Sequence, residues 1–318
     1  MDLTNIIKGL HHVTATVVDA QEDYDFYVKL LAQRLIKETV NFDNENVYHF
    51  YYGNRIGSPS TIFTTFPYGD QDVRKGVIGS GQVYETVFSA PSGSLSFWKE
   101  RLKKHNVETA KAIRFGDEYI IFEDPSGLKL SIREDKTDAR EPVWTSDEVS
   151  EVYAIKGIHS VVLAVDNIED TEYFMKAFGY QTVEKDGSFT FMETAAKGAG
   201  NSIYLLDAKA ESLPKGINGI GTVHHVAHRV ESVTQSKEIK EKLEKEFGIQ
   251  VTEVKDRKYF KSIYFRMPGG VIFEIATEGP GFQVDEHEEN LGTSLKLPDW
   301  QEPRRKKIEA GLKPYKKY

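Results

Sequence analysis

GLHHVTATVV (residues 9–18) and TVHHVAHRV (residues 222–230) decide how this chain reads. In each, apolar residues alternate with polar ones, the period of a strand with one buried face. Each carries a histidine doublet near its start, His11-His12 in the first and His224-His225 in the second. Strand side chains point to opposite faces in turn. One His of each doublet is therefore expected on the concave side of a sheet, and the other is expected to face away.

Outward from these two strands the same order of elements recurs. YDFYVKLLAQRL (24–35) has apolar residues at helical spacing and is followed by the strand-like YHFYYG (48–53) and STIFTTF (60–66). GIHSVVLAVDN (157–167) restarts the grammar, with TEYFMKAFGYQTV (171–183) and SIYLLDA (202–208) behind it. VYETVFSA (83–90) leads through LSFWKERLKKHNV (95–107) to EYIIFEDPSGLKLSI (118–132). TVHHVAHRV leads through KEIKEKLEKEFGI (237–249) to KSIYFRMPGGVIFEI (261–275). Pro125-Ser126-Gly127 and Pro268-Gly269-Gly270 sit at matching places between β-rich runs, where they signal hairpins. The chain thus reads as four β-α-β-β-β units of roughly 60 residues each, an α+β architecture in which the units must pair to bury their sheets. Residues 1–140 hold two units and 156–280 the other two. The polar stretch 141–155 reads as a linker, and 281–318 as a C-terminal extension over the mouth of a site.

Composition removes several function classes. The 318 residues include 41 basic and 49 acidic side chains, for a net charge of −8, which argues against nucleic acid as a partner. There is no cysteine, so disulfides, thiolate catalysis and Cys-held zinc or iron–sulfur centres are excluded, and any metal must be held by His, Asp or Glu. No apolar run approaches the roughly 20 residues that span a bilayer, and no basic-then-apolar leader opens the chain. The expected location is cytoplasmic, with no membrane partner.

Glu274 lies inside the apolar run VIFEI, where an acid is rarely buried unless it is paired or bound to a metal. If the first and fourth units pair, they bring His12, His225 and Glu274 together. The second and third would offer Glu85, Ser131 and Ser160, a poor set for a transition metal. One live and one vestigial site are expected. Two His and one carboxylate on one face leave open coordination positions, the triad of non-haem Fe(II) and O₂ chemistry, and they also suit Mn(II), Co(II) or Zn(II). Thr14, two residues from His12, shares its face. Tyr264 lies ten residues before Glu274 on the neighbouring strand, in reach of the site or as a core aromatic. Arg257, between Asp256 and Lys258, reads on its own as a solvated charge. His228 reads as structural, and His49, His105 and His287 have no partner in sequence.

Together with YHFYYGNRIGSPSTIFTTFP (48–67), DRKYFKSIYFRMPGGVIFE (256–274) and GFQVDEHEENLG (281–292), these segments resemble the vicinal oxygen chelate superfamily, and most closely its hydroquinone ring-cleaving dioxygenase branch. The resemblance implies two tandem domains of that fold, with His12, His225 and Glu274 as ligands of Fe(II). It implies His11, Thr14, His224, Arg257 and Tyr264 as the residues that work around the metal. It implies O₂ and a small aromatic substrate, hydroquinone-type or catechol-type, and is compatible with a homo-oligomer. Ser160 replaces a His that catechol-cleaving enzymes carry at the start of the second half, which favours the hydroquinone arrangement. A glyoxalase-like isomerase or lyase is the rival, but its further Glu or Gln ligand would fall in Thr61–Phe66, where neither occurs. A non-enzymatic binding or resistance protein would leave the intact triad unexplained.

Overall fold

The computed structural model describes residues 2–69 and 71–317. The first unit comprises β1 (Leu10–Val17), α1 (Ala20–Tyr24), β2 (Arg34–Asn41), β3 (Asn44–Gly53) and β4 (Ile62–Pro67). The second comprises β5 (Gln82–Ala90), α2 (Leu95–Lys104), β6 (Ala110–Arg114), β7 (Asp117–Glu123) and β8 (Lys129–Glu134). The third runs through β9 (Gly157–Val165), α3 (Ile168–Ala177), β10 (Gln181–Asp186), β11 (Phe189–Glu193) and β12 (Ser202–Asp207). The fourth runs through β13 (Thr222–Val230), α4 (Val233–Phe247), β14 (Lys255–Asp256), β15 (Lys261–Arg266) and β16 (Ile272–Thr277), and α5 (Arg305–Gly311) follows.

The strands form two eight-stranded sheets, in the orders β14-β15-β16-β13-β1-β4-β3-β2 and β10-β11-β12-β9-β5-β8-β7-β6. The four units and the α+β class are as the sequence indicates. Each sheet takes one unit from either half of the chain: first with fourth, joined by antiparallel β1–β13, and second with third, joined by antiparallel β5–β9. A glycine with positive φ stands at the entrance to every unit: Gly9 (103°), Gly81 (84°), Gly157 (131°) and Gly221 (81°). At Gly9 the requirement is also steric, since a Cβ would fall 2.3 Å from Asn201 Oδ1.

Alternation along the central strands sorts the two faces. Leu10, Val13, Ala15 and Val17 of β1 and Ile158, Val161, Leu163 and Val165 of β9 join one continuous core with Trp98, Phe174, Ile239 and Leu243 from the helices. The opposite face of the first sheet carries the polar His12 and Thr14. The helix expected over 24–35 ends earlier. It begins at Ala20, capped by Asp19, and widens into a π-turn in which Leu31 N–H donates to Phe26 O (2.9 Å). Ala32 then turns at φ 51°, which releases Arg34 and Leu35 into β2. Residues 141–155 form no helix or strand but pack closely: Val143, Val149 and Ile155 are buried, and the Trp98 indole N–H donates to Tyr153 O (2.8 Å). The C-terminal extension braces β2. Leu297, Ile308 and Leu312 pack on Val40, and buried Lys37 is bonded by Asp285 (2.6 Å) and Glu286.

Two carboxylates are buried beneath the first sheet. The Tyr52 and Thr65 hydroxyls donate to Asp23 Oδ2 (2.6 Å each), and Tyr27, stacked on Tyr52, donates to Asp124 (3.3 Å). Burial pushes Asp23 up from 3.8 to about 8. The folded chain therefore holds this proton while the unfolded chain has already released it. The associated stability is complete below about pH 4 and is lost as pH rises to about 8. Thermal unfolding followed by circular dichroism should show a Tm that falls between about pH 4 and about pH 8, and a shallower fall over that range in Asp23→Asn. Equal slopes in the two proteins would mean that Asp23 ionises freely in the folded state.

Candidate metal centre

The β1–β13 pairing places the two doublets, and it contains two irregularities. Leu10 pairs with His228 but His12 with Ala227, so His11 is an extra residue in β1. Thr14 pairs with His225 but Ala15 with Val223, so His224 is an extra residue in β13. Each doublet thus begins on a β-bulge, a device that re-aims side chains. This corrects the expectation that one His of each pair faces the concave side and the other faces away. His11 and His12 meet through their Nδ1 atoms (2.9 Å), as do His224 and His225 (2.8 Å).

The other nitrogen of His11 is hydrogen-bonded to the Thr277 backbone, and burial, then neighbouring His12, lower the ring to about 3 and keep it neutral. Its Nδ1 is then an acceptor for His12 Nδ1–H, which leaves the lone pair of His12 on Nε2. With the same assignment for the second doublet, both Nε2 lone pairs face inward. His12 Nε2 and His225 Nε2 are 3.3 Å apart, and Glu274 Oε2 lies 3.4 Å from the first and 2.7 Å from the second. Ser262 donates to the other oxygen, Oε1. Oε2 itself is buried with no hydrogen-bond donor. Three electron-pair donors, one of them a carboxylate only 1% exposed, converge with no proton assigned between them. A divalent cation satisfies all three, so the residues present fit a metal ion. Among the described residues this is the one such cluster of three His, Cys, Asp or Glu.

The cluster forms the floor of a cavity of about 450 Å³, walled by Phe42, Tyr51, Phe66, Tyr68 and Phe260. Tyr264 stands directly opposite Glu274 across β15–β16. Arg257 lies in the cavity wall and is not a solvated charge: its Nε–H donates to Tyr264 Oη (3.0 Å) and its Nη2 to Asp43 (3.2 Å). Burial, then the Glu274 charge, push the Tyr264 hydroxyl up, so it stays protonated. Thr14 lines the floor and accepts from Thr64 (2.9 Å). His224 lines the wall and is open to solvent, whereas His11 is buried behind His12 against Phe260. His228 is fully buried on Tyr180 (3.1 Å). The cavity lining runs from His12 to Glu274. The extension 281–317 supports it from behind, with Phe282 stacked on Tyr259 (4.9 Å).

His49 also lines this cavity, although nothing local in YHFYY marks it out. Its position follows from the β3–β4 register, with Tyr51 opposite Thr64, so that His49 Nε2 meets Thr64 Oγ1 on the diagonal (2.9 Å). Alternation along β3, with Phe50 and Tyr52 in the core, is the signal that assigns His49 and Tyr51 to the site face.

The second sheet repeats the geometry with different chemistry. Glu85 pairs with Val162 as His225 pairs with Thr14, and Ser160 and Ser131 take the places of His12 and Glu274. Arg114 donates two bonds to Glu85 (2.8 Å each) and Ser131 donates a third (2.6 Å). A built-in guanidinium thus neutralises this carboxylate, and Ser131 and Ser160 leave no imidazole or second carboxylate beside it. The protein should therefore bind about one divalent ion per chain, stabilised by mass action. His12→Ala, His225→Ala and Glu274→Ala should each lose it while remaining folded, as read by elemental analysis and circular dichroism. Two ions per chain, or full occupancy in His12→Ala, would refute the single site.

Comparison with known proteins identifies the family. The sequence model of the glyoxalase/bleomycin resistance protein/dioxygenase superfamily matches residues 157–275. "Putative ring-cleaving dioxygenase MhqE" of Bacillus subtilis (strain 168) is 42% identical over 302 residues, 95% of this chain and 97% of that protein. Chlorohydroquinone/hydroquinone 1,2-dioxygenase of Sphingobium indicum is 37% identical over 307 residues, 93% of each chain. The crystal structure of a "putative dioxygenase" from Bacillus subtilis superposes with a TM-score of 0.92 at 41% identity, covering 98% of both chains. Identity of this extent reaches across both sheets, and the chain therefore belongs to the glyoxalase/bleomycin resistance protein/dioxygenase superfamily, on the branch of its ring-cleaving dioxygenases.

Proposed function

We propose that the protein opens the ring of a hydroquinone-type aromatic with O₂, using Fe(II) held by His12, His225 and Glu274. The observation that carries this reading is the three-ligand cluster at the floor of an aromatic-walled cavity, with a Tyr264–Arg257 pair beside it. The hydroquinone-cleaving activity for which the Sphingobium relative is named supports the substrate class. When bound, Fe(II) supplies the one-electron chemistry that lets O₂ react with an electron-rich ring.

The chain's own residues then divide the remaining tasks. Arg257 Nε–H occupies a lone pair of Tyr264 Oη, so the tyrosine's own proton is free to be donated into the cavity. The guanidinium, fixed between Tyr264 and Asp43, stabilises negative charge developing on oxygen. His224 presents its Nε2 to the same space while its Nδ1 steadies His225. His11 fixes the tautomer of His12 from behind. Phe42, Phe66 and Phe260 exclude water and flank an aromatic ring. Thr14 shapes the floor beside His12. The glyoxalase-like alternative needs a further ligand on β4, and the residue facing the site there is Thr64, which is bonded to His49 and Thr14. Among the described residues no helix is long and apolar enough to cross a membrane.

Tyr264→Phe keeps the packing and removes the proton. Its kcat should fall about 10²-fold with Tm nearly unchanged, and an unaltered kcat would assign Tyr264 to structure. Under air, the Fe(II)-loaded enzyme should open hydroquinone or methylhydroquinone with a higher kcat/KM than catechol. Catechol preferred by about tenfold, with no ring-opened product from either hydroquinone, would overturn the para-diol assignment.

A further inference from the structure

The cavity is chemically asymmetric about the metal ligands. The ligands lie on β1, β13 and β16 at the centre of the sheet. On the β15 flank stand the donors Arg257 and Tyr264. On the opposite flank, two strands beyond β1, stands His49 on β3. Its ring is wedged beside Tyr51 (4.0 Å between centroids) and Phe66 (4.3 Å), so it cannot swing away. Thr64 donates its hydroxyl hydrogen to Thr14 Oγ1, so its oxygen must accept at His49 (2.9 Å). This sets the proton of a neutral His49 on Nε2. Burial, then His12 and His225, lower the ring well below its ordinary range and keep it neutral. Nδ1 is left with a lone pair, and among the described residues it is neither hydrogen-bonded nor sealed against protein.

We infer that His49 is a substrate-positioning residue, whose Nδ1 accepts a hydrogen bond from the hydroxyl at the far end of a para-dihydroxy ring. The inference rests on the hydroquinone reading above and identifies what selects for it. Two strand spacings, about 10 Å, separate β1 from β3, a span that a ring with an oxygen at each end bridges from His12 towards His49. A catechol, with both oxygens at one edge, presents only C–H to Nδ1. A polar atom left facing a C–H loses its hydrogen bond, and that loss becomes discrimination.

The test compares wild type, His49→Phe, His49→Asn and Thr64→Val, each loaded with metal. Anaerobic calorimetry measures the binding of hydroquinone and of p-cresol, which keeps one phenolic oxygen and replaces the other with a methyl group. Wild type should prefer hydroquinone about tenfold. His49→Phe should abolish the preference, and His49→Asn, with an acceptor at the δ position, should retain much of it. Thr64→Val, which keeps the ring but removes its tautomer lock, should lower it. In air, His49→Phe should raise KM for hydroquinone more than it lowers kcat. An unchanged hydroquinone-to-cresol ratio in both His49→Phe and Thr64→Val overturns the assignment. Absence of ring opening by wild type would count against the dioxygenase reading, while the anaerobic ratio still decides the role of His49.

Discussion

The antiparallel pairing of β1 with β13 joins residues 213 positions apart and holds both histidine doublets on one ladder. It makes the first sheet eight-stranded instead of two half-sheets with open edges. It also creates the two register shifts at His11 and His224. Without the shifts, one ring of each doublet would turn to the apolar core, where its nitrogens would lack partners. With them, His12 and His225 each gain a neighbouring ring at Nδ1, and their Nε2 atoms turn towards each other.

The two sheets answer one electrostatic problem in two ways. A carboxylate carried into the centre of either sheet needs a positive charge close by. In the second sheet the chain supplies it as Arg114, held at Glu85 by two parallel bonds with Ser131 completing the set. In the first sheet Glu274 instead faces the His12 and His225 rings, a set of donors that fits a divalent cation. Pseudo-symmetric backbones in this way carry two different surroundings for a buried carboxylate.

Much of this was legible before any coordinates. Repeated strand, helix and turn signals define four units, and the doublets with Glu274 single out the three residues that converge because acids and paired histidines are out of place in apolar strands. The bulges were not legible, since strict alternation is the rule from which a bulge departs. His49 was hidden because its partner Thr64 is distant in sequence and reached only through the β3–β4 register. Arg257 looked solvated for a similar reason: its partners Tyr264 and Asp43 lie on separate elements. The early end of the first helix depends on a π-turn and a left-handed Ala32, neither of which helical periodicity records.

The exchange of units between the halves has a consequence for the order of events in the cell. Ribosomal synthesis delivers His12 long before Glu274, and β16 must dock on β13 before that carboxylate reaches the histidines. Such distant contacts form late, because the intervening chain has to be ordered first. The three-residue cluster is therefore complete only in a polypeptide whose first and fourth units have already met.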